Sequence, residues 1–379
     1  MFTLSKKSNY PLGIDISDLS LKLIQLNKIR GKIKIQAISS RKLLEGTIQD
    51  GEIINSTNFN QELKKLISKP EFGNIGSNDV SACLPDSKTY IKLIKVEKSI
   101  NPISDIIANE IQKNIPLLEN DMYYDWQLIS EEKNNFNILI GAAKKSIVDS
   151  YIENLSQAGL NVVSLEPEPV AVVRALLKEE SPSKVNLENK NYGIIDIGAK
   201  RTNIVFYSNN SIVSSISLPI SGNEITQKIS KTLEINMEQA EKAKIICGLD
   251  KNKAKGIIDD ILKDMIKELI EKIKESIDFY ETNYPNLGLL NSLILCGGGA
   301  NIKNLDKEIE ENIGIKTSLG NFKEKIDETS EKLEKYFITT IKSEKDKENN
   351  ELNKKIQKDL APGYTSAMGL ALKGIYLEE

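Results

Sequence analysis

The chain has 379 residues, 51 Lys and Arg against 54 Asp and Glu, a net charge of -3 and no histidine. Its length exceeds the roughly 250–300 residues at which single cores stop growing, so two or more lobes are expected. The balanced charge argues against a nucleic-acid surface, and the missing histidine excludes Ser-His-Asp and Cys-His nucleophiles and the commonest zinc ligand, leaving metal chemistry to oxygen.

Cys83, Cys247 and Cys296 show no CxxC spacing and read as single thiols in a reducing compartment. No stretch reaches the roughly 20 apolar residues of a membrane span, and Met1 to Tyr10 lacks a signal-peptide core, so a cytoplasmic location is expected.

Three strand-like runs, Leu12–Ile16, Leu19–Ile29 and Lys32–Ser39, predict an antiparallel meander with Arg30-Gly31 as a hairpin turn. Asn58 to Ser68 has helical spacing, and Asp79–Leu84 reads as a strand. Tyr90–Val96, Ile103–Ile115, Tyr123–Ile129 and Phe136–Ala143 then give a strand-helix-strand-strand order. A helix at Ile147–Ala158 stopped by Gly159, a strand at Val162–Leu165 and a helix at Val170–Leu177 follow. Ser181 to Asn191 is a polar linker.

Beyond it, Tyr192 to Pro219 repeats the opening strand-turn-strand unit. Helices are expected at Glu224–Leu233, Met237–Cys247, Ile257–Tyr280, Leu305–Ile313 and Ala367–Leu377, with a strand at Leu293–Cys296. Asn321 to Lys358 is rich in Lys and Glu and reads as a solvated insertion. The resulting division is a first lobe beginning at 1–86, an inserted module at 87–166, a return helix and linker at 167–190, and a second lobe in three parts, 191–223, 224–288 and 289–379.

The chemistry sits in the repeat. Gly13-Ile14-Asp15-Ile16-Ser17 and Gly193-Ile194-Ile195-Asp196-Ile197-Gly198 each end an apolar strand in an aspartate and a tight turn. Two such units facing one another would put two carboxylates and two sets of backbone N–H groups around one phosphate chain with its magnesium. Asp15 is followed by Ser17, Ser20 and Lys22, whose ammonium can neutralise phosphate, and Asp196 by Gly198, Lys200 and Thr202. Gly297, Gly298 and Gly299 offer bare backbone to a flat base or simply a tight strand-to-helix turn. Glu241 and Lys244, one helical turn apart, suit a ribose or a surface ion pair. Glu168, at a helix start between the lobes, suits a helix cap or a carboxylate that orients water.

The order of these signals resembles the actin, Hsp70 and sugar-kinase superfamily of nucleotide clamps. The opening motif through Lys22 and Leu26, Glu45 to Gly51, Ala158-Gly159-Leu160, Ile220 to Thr226, Cys296 to Ala300 and Ala367 to Leu372 together look like the PilM family of type IV pilus assembly proteins, similar in fold to FtsA. The resemblance implies an α/β, actin-like (ribonuclease H-like) two-lobed nucleotide clamp with an inserted SHS2-type α+β subdomain. It implies ATP and Mg2+ as cofactors, Asp15 and Asp196 holding magnesium through water, Lys22, Gly198 and Thr202 on phosphates, and Glu241, Lys244 and Gly297 to Gly299 on the nucleoside. Glu168 would orient the water of a slow hydrolysis. The implied partner is the cytoplasmic tail of a PilN-like membrane protein and, through it, a PilN–PilO complex at the inner face of the membrane, with pilus motor ATPases as further partners and no direct membrane insertion. Ser17 stands where the family usually has glycine, and Asp18 follows it. An FtsA-like membrane-associated cytoskeletal protein is the alternative, and the short C-terminus ending in two glutamates, without a basic amphipathic helix, counts against it.

Overall fold

In the computed structural model the described residues are 10–98, 103–115, 121–177, 190–327, 331–341, 356–359 and 361–376. Most of the expected 181–191 linker and much of the 321–358 segment lie outside them. The first part runs β1 (Leu12–Ser17), β2 (Ser20–Ile29), β3 (Lys32–Lys42), β4 (Ile48–Gln49), β5 (Glu52–Ile53), α1 (Ser56–Ser68), β6 (Phe72–Gly73) and β7 (Asp79–Leu84). It continues with β8 (Thr89–Glu97), α2 (Ile103–Asn114), β9 (Met122–Glu131), β10 (Asn135–Lys144), α3 (Lys145–Gln157), β11 (Asn161–Pro167) and α4 (Glu168–Leu176). The second part runs β12 (Tyr192–Ile197), β13 (Thr202–Ser208), β14 (Ser211–Leu218), α5 (Gly222–Leu233), α6 (Met237–Ile246), α7 (Ile257–Asn283), β15 (Ser292–Cys296), α8 (Leu305–Ile313) and β16 (Thr317–Leu319). It ends in α9 (Glu331–Phe337), β17 (Ile338–Ile341), β18 (Ile356–Asp359) and α10 (Thr365–Tyr376).

Two sheets carry the duplication. The first has the order β11-β7-β1-β2-β3-β6, and the second begins β16-β15-β12-β13-β14. In each, an antiparallel meander is extended by a parallel strand beside its first strand, β7 along β1 and β15 along β12. The register places Asp15 opposite Lys22 and Asp196 opposite Asn203, equivalent positions of the two halves.

Small residues let the layers close. A side chain at Gly13 would overlap the backbone of Ala367 and Ala371 in α10, and one at Gly369 would overlap the backbone of Ala171 in α4. Ten of the twelve residues of α10 are buried, as expected for a helix apolar on every side. Helices α4 and α10 therefore cross in close contact, with Arg174 of α4 donating to the Gly369 carbonyl oxygen at 3.0 Å.

Two features depart from the sequence reading. The strand-helix-strand-strand segment from β8 to β10 extends the second sheet through β14, joined at a single register pair, Ser214 with Lys92. In contrast, β11, grouped by sequence with that segment, is an edge strand of the first sheet, and α3 packs on that sheet's core, where Ile147, Tyr151 and Leu155 cluster with Phe59, Leu63 and Leu66 of α1. The charged segment after 321 is also not wholly a solvated surface. Phe322, Leu333 and Phe337 are buried against Tyr364, Met368 and Leu372, because their apolar faces find the underside of α10.

Candidate functional site

The two aspartate strands end at a cleft between the sheets. A cavity of about 120 Å³ is lined there by Ser17, Asp50, Asp86, Glu168, Asp196 and the turn Gly198 to Arg201, among others. Asp15 lies directly behind this lining, 4% exposed, with the Lys22 ammonium 3.0 Å from one carboxylate oxygen and the Cys83 thiol on the other. Burial works against the Lys22 charge, but the Asp15 carboxylate outweighs it and holds the ammonium above its ordinary pKa. Glu168 opens α4, lines the cavity, and accepts from the hydroxyl of Ser366 in the first turn of α10 at 2.9 Å, so the starts of the two helices meet beside the cleft.

Carboxylates crowd the site. Burial, then the charge of Asp15, raises Asp196 to about 7, and burial followed by Asp196 and Asp15 pushes Glu168 well above the usual carboxylate range. A cation would relieve that repulsion. The ligand atoms of Asp15, Cys83 and Glu168 lie within 4.8 Å of one another, and the buried Oδ1 of Asn203 has no hydrogen-bond partner in the same cavity. The carboxylate and amide oxygens of this group suit a hydrated magnesium ion, whereas the Cys83 thiol, pushed well above its ordinary pKa by burial, does not.

Not every candidate reaches the cavity. Ser17 and Ser20 share a hydrogen bond across the β1–β2 turn, and Ser17 is not among the residues with positive φ, so its side chain imposes no backbone strain there. Asp18 is used locally, accepting from the backbone N–H groups of Asp50 and Gly51 at 3.1 and 3.0 Å. The Gly198 N–H closes its own turn onto the Arg201 carbonyl oxygen at 2.9 Å. Thr202 points away from the cleft, fully buried, and donates to the Ile220 carbonyl oxygen at 2.7 Å. Lys200 lines the cavity and lies 4.0 Å from Glu45. Glu241 and Lys244 form an ion pair of 2.6 Å rather than lining the cavity. Lys244 also reaches the Gly222 carbonyl oxygen at 3.0 Å, and Gly222 is bonded to Gly198, so the pair stands one step behind the second turn. Gly297 has φ +78 and abuts the Asp196 carboxylate where no side chain fits, while Gly298 faces open space.

Asp50, Asp86, Arg201 and Asn203 were not among the sequence candidates. Asp86 follows β7 as the first residue after Pro85, a third strand-end aspartate, and Arg201 adjoins Lys200 in the turn. Both signals were present in the chain, but only the meeting of the lobes shows that they share a cavity.

The model of the family described as "Type IV pilus assembly protein PilM" matches residues 13–375. The chain belongs to the PilM family. A solved structure titled as a PilM-PilN type IV pilus biogenesis complex superposes on this PilM-family chain with TM-score 0.74 at 21% identity, covering 97% of this chain and 98% of that one. MreB5 of Spiroplasma citri bound to ADP superposes with TM-score 0.51 at 15% identity, over 83% of this chain and 92% of that one. Cell division protein FtsA of Streptococcus pneumoniae is 21% identical over 349 residues, 81% of this chain and 74% of that protein. The fold is the actin-like α/β fold shared by these proteins, and no helix among the described residues is long and apolar enough to cross a membrane.

Proposed function

We propose that this PilM-family chain is a nucleotide-binding scaffold of type IV pilus assembly that takes Mg-ATP between its lobes and the cytoplasmic tail of a PilN-like membrane protein on its surface. The observation that carries the nucleotide half is that Asp15 and Asp196, from equivalent strands of the two sheets, come close enough at one cleft for the charge of Asp15 to raise the Asp196 carboxyl, with Glu168 beside them. Asp15 and Asp196 would hold a magnesium ion through water, and Lys22, Lys200 and the second turn would face phosphate. The adenosine would lie toward Gly298 and the Glu241–Lys244 pair. The ion supplies charge neutralisation for the phosphates when bound. Glu168 orients water for any hydrolysis, a role that needs position more than chemistry.

The partner half rests on family membership and on likeness to a structure solved as a PilM-PilN complex. In this reading residues 89–144 are an SHS2-type module beside which the peptide docks, placing the chain peripherally at the inner membrane through PilN and a PilO-like protein, within reach of motor ATPases.

Differential scanning of the whole chain tests the nucleotide half. Mg-ATP at about 100 times its Kd adds roughly 2.7 kcal/mol of stability. Asp196→Ala is expected to lose that gain, and Glu168→Gln to keep it while losing phosphate release. An unchanged ATP-induced shift in folded Asp196→Ala would overturn the assignment. For the partner half, a labelled N-terminal PilN-like peptide is expected to bind the full chain, and failure to bind at saturating protein would remove that partner.

A further inference from the structure

The Asp50–Arg201 pair bridges the cleft from lobe to lobe. Asp50 and Gly51 form the two-residue turn of the β4–β5 hairpin, both with positive φ, 48 and 79. Asp18 grips the two backbone N–H groups of this turn, and Tyr151 donates to the Gly51 carbonyl oxygen at 2.9 Å. The hairpin is thus held by the first lobe with its carboxylate pointing outward. That carboxylate lands on the aspartate turn of the other lobe, where Nε and Nη2 of Arg201 donate to one Asp50 oxygen at 3.2 and 2.9 Å.

The pair is also a partition. Asp18, Asp50, Lys200 and Arg201 line both the 120 Å³ cavity and a neighbouring one of about 390 Å³. Small-molecule sites usually run to about 300–1,000 Å³, so the inner cavity alone falls below that range and the neighbouring one within it.

We propose that Asp50 is a tethered phosphate surrogate, and that Arg201 exchanges it for a phosphate of the incoming nucleoside triphosphate, making Arg201 the ligand-sensing cation of the second lobe. This inference rests on the nucleotide reading above. Three observations make the exchange inexpensive. The side chains are 48% and 42% exposed, and ion pairs of that kind contribute little net stability. Lys88 already stands 3.3 Å from Asp50, so the carboxylate keeps a partner after Arg201 leaves. Finally, a guanidinium that places two donors on one carboxylate oxygen is equally matched to a phosphate oxygen.

Affinities of the full chain, Asp50→Asn, Arg201→Gln and the double variant for Mg-ATP and for AMP, by calorimetry at fixed salt, decide the matter. Asparagine suits a positive-φ turn, so Asp50→Asn keeps the hairpin while removing the competing charge. Asp50→Asn is expected to bind ATP about 3- to 10-fold more tightly with AMP changed less than about 2-fold, and to have no effect once Arg201→Gln is present. Asp50→Ser provides the same comparison if the amide variant fails to fold. If the parent binds ATP but the Asp50 substitution does not tighten it, or tightens it equally without Arg201, the surrogate is disproved and the nucleotide site stands. A folded parent that binds no nucleotide overturns both.

Discussion

Asp86 sits at the cleft with its carboxylate on the Ser215 hydroxyl at 3.0 Å, linking the end of the first sheet to β14 of the second. Burial raises it to about 6. Because the folded value lies above the unfolded one, the folded protein holds the extra proton between about pH 4 and 6, and stability falls as pH rises through that window. Asp86→Asn still offers Ser215 an acceptor and has no proton to lose. Its stability relative to the parent is expected to grow from pH 4 to 6 and then stay level, by on the order of 1–3 kcal/mol in urea titrations. A difference that does not change with pH would show Asp86 ionised throughout. The same crowding explains why Asp15 and Asp196 could be read from the chain and Asp86 could not. A repeated motif advertises the first two, whereas Asp86 acquires its role only from the wall of protein that the other lobe builds over it.

At the scale of elements, helical periodicity and turn residues placed α1, α7 and α8 within a few residues of their ends, since each carries a clear buried stripe on a single core. Periodicity failed where charge masked it. In the segment Phe322 to Phe337 lysines and glutamates dominate, yet Phe337 is 1% exposed and meets Phe322 edge-on at 5.7 Å and Tyr364 at 6.0 Å. Phe337→Ala is therefore expected to cost about 3–5 kcal/mol, the range for deleting a buried aromatic ring, whereas an exposed position in a solvated insertion would cost less than about 0.5. Chemical denaturation distinguishes these, and a cost near zero would return the segment to the surface.

Across the whole molecule, the second sheet is continuous from β16 to β9, but its join at β14 and β8 rests on one register pair, against five between β12 and β15. That join ties the 89–144 module to the second lobe, and the Asp50–Arg201 pair ties the first lobe to the second. Opening the cleft for a ligand must load both. Hydrogen exchange is expected to show Lys92 and Ser214 as the least protected amides in the interior of the eight-stranded sheet, with protection rising when Mg-ATP is bound. Protection there equal to that of β12 and β13, with and without nucleotide, would show the two lobes joined as one rigid body.

The sequence by itself determined the duplicated aspartate strands, the mixed α/β order and the family pattern, because these depend on local alternation, turn chemistry and spacing along the chain. It also placed Glu168 at a helix start and the three glycines at a strand end. Only the tertiary structure decided that Thr202 turns inward, that β11 joins the first sheet with α3 packed on it, and that Asp50 meets Arg201. Those outcomes depend on contacts 18 to 151 residues apart in the chain, fixed by the packing of one sheet and helix layer on another and carried by no local pattern.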